Sequence, residues 1–110
     1  MSEQRRATRT PPRQTITVIN VMTGDPMGHV GNFSGDGMLL VSEHPVAESA
    51  LFQCTFRLGA AADDTLRVGI REQWSEPANV RGQYWIGFHF IDISQADQQR
   101  LDRWLEQNLE

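Results

Sequence analysis

Between positions 52 and 58 the chain alternates without a break. Phe52, Cys54, Phe56 and Leu58 are apolar, and Gln53, Thr55 and Arg57 stand between them. A period of two puts one set on each face of a strand, so this stretch buries one face only. The pattern recurs twice. Leu66, Val68 and Ile70 face in, against Arg67, Arg71 and Gln73 facing out. Ile86, Phe88 and Phe90 face in, with Trp85, Gly87 and His89 on the other side. Three earlier runs are β-rich. Residues 15–22 hold Ile16, Val18, Ile19 and Val21, and residues 28–33 and 37–42 flank a Gly-Asp-Gly turn. Turns fall at Thr23-Gly24-Asp25-Pro26, at 43–49 with Pro45, at 59–64, and at 75–82 with Pro77. The six expected strands are therefore 15–22, 28–33, 37–42, 50–58, 65–74 and 83–93. Six short antiparallel strands, each with one apolar face, predict a closed or nearly closed barrel that is mainly β.

The period changes after Ile93. Ser94-Gln95-Ala96-Asp97 has the form of a capping box, with Asp in the place of Glu or Gln. Leu101, Trp104, Leu105 and Leu109 then recur at helical spacing, which predicts a C-terminal helix over about 95–109. A small barrel needs an open mouth covered, so the helix reads as a lid; a partner-docking helix is the other reading. The chain of 110 residues is enough for one domain with one modest core. Residues 1–14 stand apart as a polar arm with Pro11-Pro12 and no apolar period. Residues 1–13 carry a net charge of +3 and residues 14–110 carry −7, giving the chain its −4. A basic arm on an acidic body suits a small or local anion better than a long nucleic acid. All ten basic residues are arginines, and each guanidinium is a planar fork able to grip a phosphate or a guanine edge with two bonds.

The most informative polar stretch is Asn32-Phe33-Ser34-Gly35-Asp36-Gly37, an N-x-S-x-x-G run across the turn between strands two and three. In an extended segment Asn32 and Ser34 share a face. An amide beside a hydroxyl offers both donors and acceptors to a flat polar ring edge. Gly35 and Gly37 permit positive φ or a close approach of a ligand to the backbone. The same composition also describes an ordinary hairpin turn. Upstream, Arg5-Arg6-Ala7-Thr8-Arg9 is an R-x-x-x-R, and Arg9-Thr10-Pro11-Pro12-Arg13 is a second one in an overlapping register.

An R-x-x-x-R followed some twenty residues later by an Asn/Asp-x-Ser-x-x-Gly, then by Trp85-Ile86-Gly87-Phe88-His89-Phe90-Ile91-Asp92-Ile93, Ser94 and a helix, resembles the PilZ domain family over nearly the whole chain. The resemblance implies a six-stranded barrel that receives cyclic diguanylate (cyclic di-GMP), a bacterial second messenger, in the cytoplasm and without catalysis. By the same resemblance Arg5 and Arg9, with Arg6 assisting, take phosphates and guanine edges, Asn32 and Ser34 hold a guanine, and Gly37 keeps the turn open. Arg5/Arg9 is the preferred register, because Arg13 falls at the start of strand one. The implied partners are cyclic di-GMP and a downstream effector protein, with no nucleic acid and no membrane insertion. The alternative is a barrel that keeps the fold and docks a protein, with weak or lost nucleotide binding.

Other chemistry finds little footing. His29, His44 and His89 are scattered and fit no metal-ligand spacing, so no metal or cofactor is expected. Asp36, Glu43, Glu48, Asp63 and Asp64 read as solvated turn residues rather than paired catalytic acids. Cys54 is a lone thiol in an apolar phase, expected to be buried and inert, and compatible with a reducing compartment. The Arg-rich start has no apolar stretch after it, against a secretory signal, and no apolar run is long enough to span a membrane. Trp74 and Trp85 flank the expected site, as wall residues or as stacking surfaces for a guanine.

Overall fold

The structure, a computed structural model, describes residues 10–61 and 64–108. Six strands are followed by one helix: β1 (Thr17–Asn20), β2 (Pro26–Ser34), β3 (Gly37–Ser42), β4 (Leu51–Arg57), β5 (Thr65–Pro77), β6 (Tyr84–Ile93) and α1 (Gln95–Asn108). All neighbours pair antiparallel in the order β1-β2-β3-β6-β5-β4. Ile19 opposite Thr55 and Asn20 opposite Cys54 bring β1 to β4 and close the barrel.

The alternating residues fill the inside as the period requires. Val18, Phe33, Met38, Leu40, Cys54, Leu66, Ile70 and Ile86 are buried, with Phe56, Val68 and Phe88 nearly so. Burial of Cys54 pushes its thiol pKa up to about 12, since a thiolate there would lack water. The helix covers one mouth. Leu101 is buried, Trp104 and Leu105 pack on the core, and Trp104 meets Phe33 edge-on at 5.3 Å. Phe33 in turn lies 5.3 Å from Phe56. The apolar stripe of the helix thus serves as a lid. At its start the Ser94 hydroxyl accepts the Asp97 N–H at 3.0 Å. The Asp97 carboxylate meanwhile accepts the Arg67 N–H at 3.2 Å and the Arg100 guanidinium at 2.8 Å. The cap therefore also ties the helix to β5.

Three strand lengths differ by three residues or more from the sequence expectation. β2 runs over Pro26–Ser34, beyond the expected 28–33 at both ends. β1 ends at Asn20 rather than 22, because Asn20 starts the turn: its side-chain oxygen accepts the Met22 N–H, and its carbonyl accepts the Gly24 N–H. β5 runs on through Pro77, pairing Ser75, Glu76 and Pro77 with β6 over sequence expected to be loop. Four register shifts interrupt the ladders, one between Val18 and Ile19 where Met27 is skipped; the other three set which residues face out. Gly31 is the extra residue of β2, Gln73 of β5 and Ile91 of β6. Each shifts the phase by one; at Gly31 and Ile91 this keeps the apolar residues on both sides inside, Val30 with Phe33 and Phe90 with Ile93. No helix among the described residues is long and apolar enough to cross a membrane.

Candidate functional site

The Gly31 bulge builds the site. Val30 and Phe33 are three residues apart and both buried, which a regular period of two forbids. The extra residue resolves the conflict and leaves Asn32 half-buried on the outer face, opposite Leu39 of β3. The hairpin then closes through Gly35 and Asp36, with Ser34 opposite Gly37.

Ser34 is fully buried, and its hydroxyl is engaged. It donates to Asp36 Oδ1 at 2.7 Å, with a longer contact to the Gly37 carbonyl at 3.4 Å. In this state Ser34 fixes the turn, and Asp36 presents an exposed carboxylate beside it. Gly37 adopts no left-handed φ; a Cβ there would run into the Phe88 carbonyl of β6. Close approach is thus why a glycine stands there, but the approaching group is strand backbone. Gly35 has open space around it. Two bonds fasten the turn to its surroundings: the Phe90 N–H donates to the Asp36 carbonyl at 2.9 Å, and Gln98 Nε2 of the lid helix donates to the Gly35 carbonyl at 3.1 Å.

Arg5, Arg6 and Arg9 lie outside the described residues. The residue after Arg9 does not. Thr10 is buried and forms a two-way bridge with Phe33: its N–H donates to the Phe33 carbonyl at 2.7 Å, and the Phe33 N–H donates to its carbonyl at 2.8 Å. The base of the arm is therefore fastened to β2 between Asn32 and Ser34. Among the described residues the buried Thr10 hydroxyl has no hydrogen-bond partner. Arg13 lines a different place, a cleft of about 780 Å³ between β1, β4 and the lid, which it shares with Arg57 and Trp104 but with neither Asn32 nor Ser34.

The register extends the motif across the sheet. One outer row runs Asn32, Leu39, Gly87, Trp74, and the next runs Ser34, Gly37, His89, Arg71. The Trp74 indole lies directly over Gly87, where a Cβ would sit only 2.6 Å from its Cε2, and 44% of Trp74 stays exposed. Trp85 packs over Gly31 in the same way, with its Cζ3 3.1 Å from where a Cβ would be. The arrangement is a flat outer face of glycine backbone and tryptophan rings, edged on one side by Asn32 and the Ser34–Asp36 turn. Thr10, Asp36 and Gln98 were not readable as site residues. Only the contiguity of Thr10 with Arg9, and of Asp36 with Ser34, pointed towards them.

The structure is thus a closed six-stranded barrel with a polar hairpin on its outside and Thr10 bridged to β2 beside that hairpin. The PilZ domain family matches residues 3–107, and the chain belongs to that family. No curated protein sequence matches it. Solved structures share the fold. The PilZ domain of Escherichia coli YcgR with c-di-GMP superposes with a TM-score of 0.75 at 15% identity, covering 96% of this chain and 92% of that one. The K. pneumonia MrkH–c-di-GMP complex gives 0.76 at 17% identity, covering 96% of this chain and 52% of that one. The Bacillus subtilis inhibitor of motility MotI gives 0.74 at 14% identity, covering 96% and 51%. This chain thus spans about half the length of the last two.

Proposed function

We propose that this chain is a non-catalytic receptor for cyclic di-GMP, which binds on the outer face between the Asn32–Gly37 hairpin and the arm carrying Arg5, Arg6 and Arg9. The observation that carries the reading is the Thr10–Phe33 bridge. Arg9 is joined directly to Thr10 in the sequence, so the arginine motif adjoins a residue fastened between Asn32 and Ser34. Arg5 stands four positions before Arg9, and an extended run of that length can reach about 13 Å, enough to span a second phosphate or guanine. Family membership and the fold shared with c-di-GMP complexes support the same ligand. Asn32 supplies acceptor and donors to a guanine edge, and the Asp36 carboxylate is a further acceptor for guanine N–H groups. Ser34 holds the turn that presents them. Arg13, in the β1/β4 cleft, takes no part, which favours the Arg5/Arg9 register.

Binding closes the arm over the ligand. The arginines contact the phosphates only in the closed state, so the ligand shifts the population by that differential contact. A partner protein reads the change at the arm or at the lid helix, which the Gln98–Gly35 bond ties to the hairpin. Amide exchange tests this. The Thr10 amide, bonded to Phe33, is protected with and without ligand, whereas residues 4–9 gain protection only when cyclic di-GMP is present. Protection of residues 4–9 in the free chain, or its absence at saturation, sinks the closing arm.

A further inference from the structure

The row that starts at Ser34 ends on two residues that neither motif contains. Its cross-strand partners are Ser34 on β2, Gly37 on β3, His89 on β6 and Arg71 on β5. At strand spacing the row covers about 14 Å. His89 stands between the inward Phe88 and Phe90, and Arg71 between the inward Ile70 and Glu72, so both face outward. Gly37 raises no side chain between the hairpin and His89. Immediately alongside lie Gly87 and the flat Trp74 ring of the neighbouring row.

We infer that Arg71, with His89 beside it, forms the far edge of the ligand site. From there it grips a phosphate or a guanine O6/N7 edge of the cyclic dinucleotide, from the side opposite the Asn32–Gly37 hairpin. The inference rests on the receptor reading above and adds a binding residue to it. Six arginines belong to residues 14–110, and their positions separate them. Arg57 shares its cleft with Arg13. Arg67 lies where β5 meets the start of the helix, through its N–H to Asp97. Arg81 is in the 78–83 loop, and Arg100 and Arg103 are on α1, Arg100 paired with Asp97. Only Arg71 stands in a row that begins at the motif. Its directly opposed neighbours are His89 and Leu51, neither of which is an acid. Neither gives the guanidinium an anionic neighbour across the strands, and an anion lying over the row supplies one. Arginine also suits the task, since its fork matches both phosphate and the O6/N7 edge of guanine.

The test is calorimetric titration of the full chain with cyclic di-GMP, with urea unfolding of each variant as the check on folding. Arg71→Ala weakens binding about tenfold, the size of one exposed charge-assisted contact. Arg71→Lys recovers only part of that loss, because a point charge cannot pair with two bonds. The distant Arg81→Ala binds as the unaltered chain does. In the unaltered chain the Arg71 Nε–H resonance shifts on adding ligand, a readout that needs no variant to fold. Binding by the unaltered chain together with an unshifted Arg71 resonance, or with Arg71→Ala affinity within twofold, overturns the inference and leaves the receptor reading standing. No binding by the unaltered chain overturns both.

Discussion

Substituting Gly37 by alanine adds one methyl group at the most crowded point of the hairpin. The new Cβ has no free direction, because it meets the Phe88 carbonyl, and backbone cannot swing aside as a side chain can. β3 must move away from β6, and the nearest bond at risk is Phe90 N–H to the Asp36 carbonyl at 2.9 Å. Overpacking of this kind costs about 1–3 kcal/mol, and a lost backbone hydrogen bond adds about 1 kcal/mol. Alanine's smaller unfolded-state entropy returns about 0.4–1 kcal/mol. The net loss is about 2 kcal/mol, a sizeable share of the ~5–15 kcal/mol typical of a domain. With a urea slope of about 1–3 kcal/mol/M, the unfolding midpoint falls by about 1 M, with the slope unchanged. The same displacement tilts the Ser34–Gly37–His89 row, so affinity for cyclic di-GMP falls too. Gly35→Ala is the control: nothing lies within 4 Å of its Cβ position, and its stability stays within about 0.5 kcal/mol. Tryptophan fluorescence during urea unfolding reads both. A Gly37→Ala chain as stable as the unaltered one, or a Gly35→Ala chain equally damaged, refutes the account of why a glycine stands at position 37.

Three further outcomes follow from the same structure. Arg5→Ala and Arg9→Ala each cost about 1.5–3 kcal/mol of cyclic di-GMP binding while Arg13→Ala costs much less; calorimetry showing Arg13 essential and Arg5 dispensable reverses the register. Leu101→Ala, at a fully buried lid position, lowers stability by about 2–5 kcal/mol in urea unfolding, and a surface-like loss under 0.5 kcal/mol contradicts the lid. Cys54, with its pKa raised from 9.0 to about 12 by burial, keeps its proton in the folded chain where the unfolded chain loses it. The unfolded state then binds fewer protons, so this contribution is whole below pH 9 and is lost between pH 9 and about 12. Replacing Cys54 by alanine removes that part of the alkaline slope; an unchanged slope means the thiol does not titrate as its burial requires.

Much of this architecture was legible because its signal is local. The uninterrupted alternation of Phe52 to Leu58 and of Ile86 to Phe90 needs no knowledge of partners to be read as one-faced strand, and Ser94 followed by Leu101, Trp104 and Leu105 announces a capped amphipathic helix. The bulges were harder. Val30 and Phe33 are both apolar at odd spacing, a local conflict that in retrospect marks Gly31, but nothing local marks Gln73. Its effect, turning Trp74 outward over Gly87, appears only once β5 is paired with β6. The continuation of β5 through Pro77 was hidden for the same reason, since Ser-Glu-Pro reads as loop until an edge of β6 is there to pair with it. The N-x-S-x-x-G spacing marked the hairpin between β2 and β3, and the structure separates its polar residues. Asn32 faces outward, while Ser34 is spent on Asp36. The extension to His89 and Arg71 depends on pairing of Gly37 with His89 and of His89 with Arg71, on three different strands, and no periodicity within one segment carries that.

The most direct test of the central claim is calorimetric titration of the full chain with cyclic di-GMP, followed by the same titration with cyclic diadenylate. A site whose Asn32 and Asp36 accept guanine N–H groups leaves those groups unpaired against adenine, and such mismatches cut affinity by about 10⁴ or more where the site is built on hydrogen bonds. The account predicts saturable heat with cyclic di-GMP that weakens as salt rises, from screening of the exposed arginines, and no measurable heat with cyclic diadenylate. Equal affinity for the two dinucleotides, or no heat with cyclic di-GMP at any salt, contradicts it.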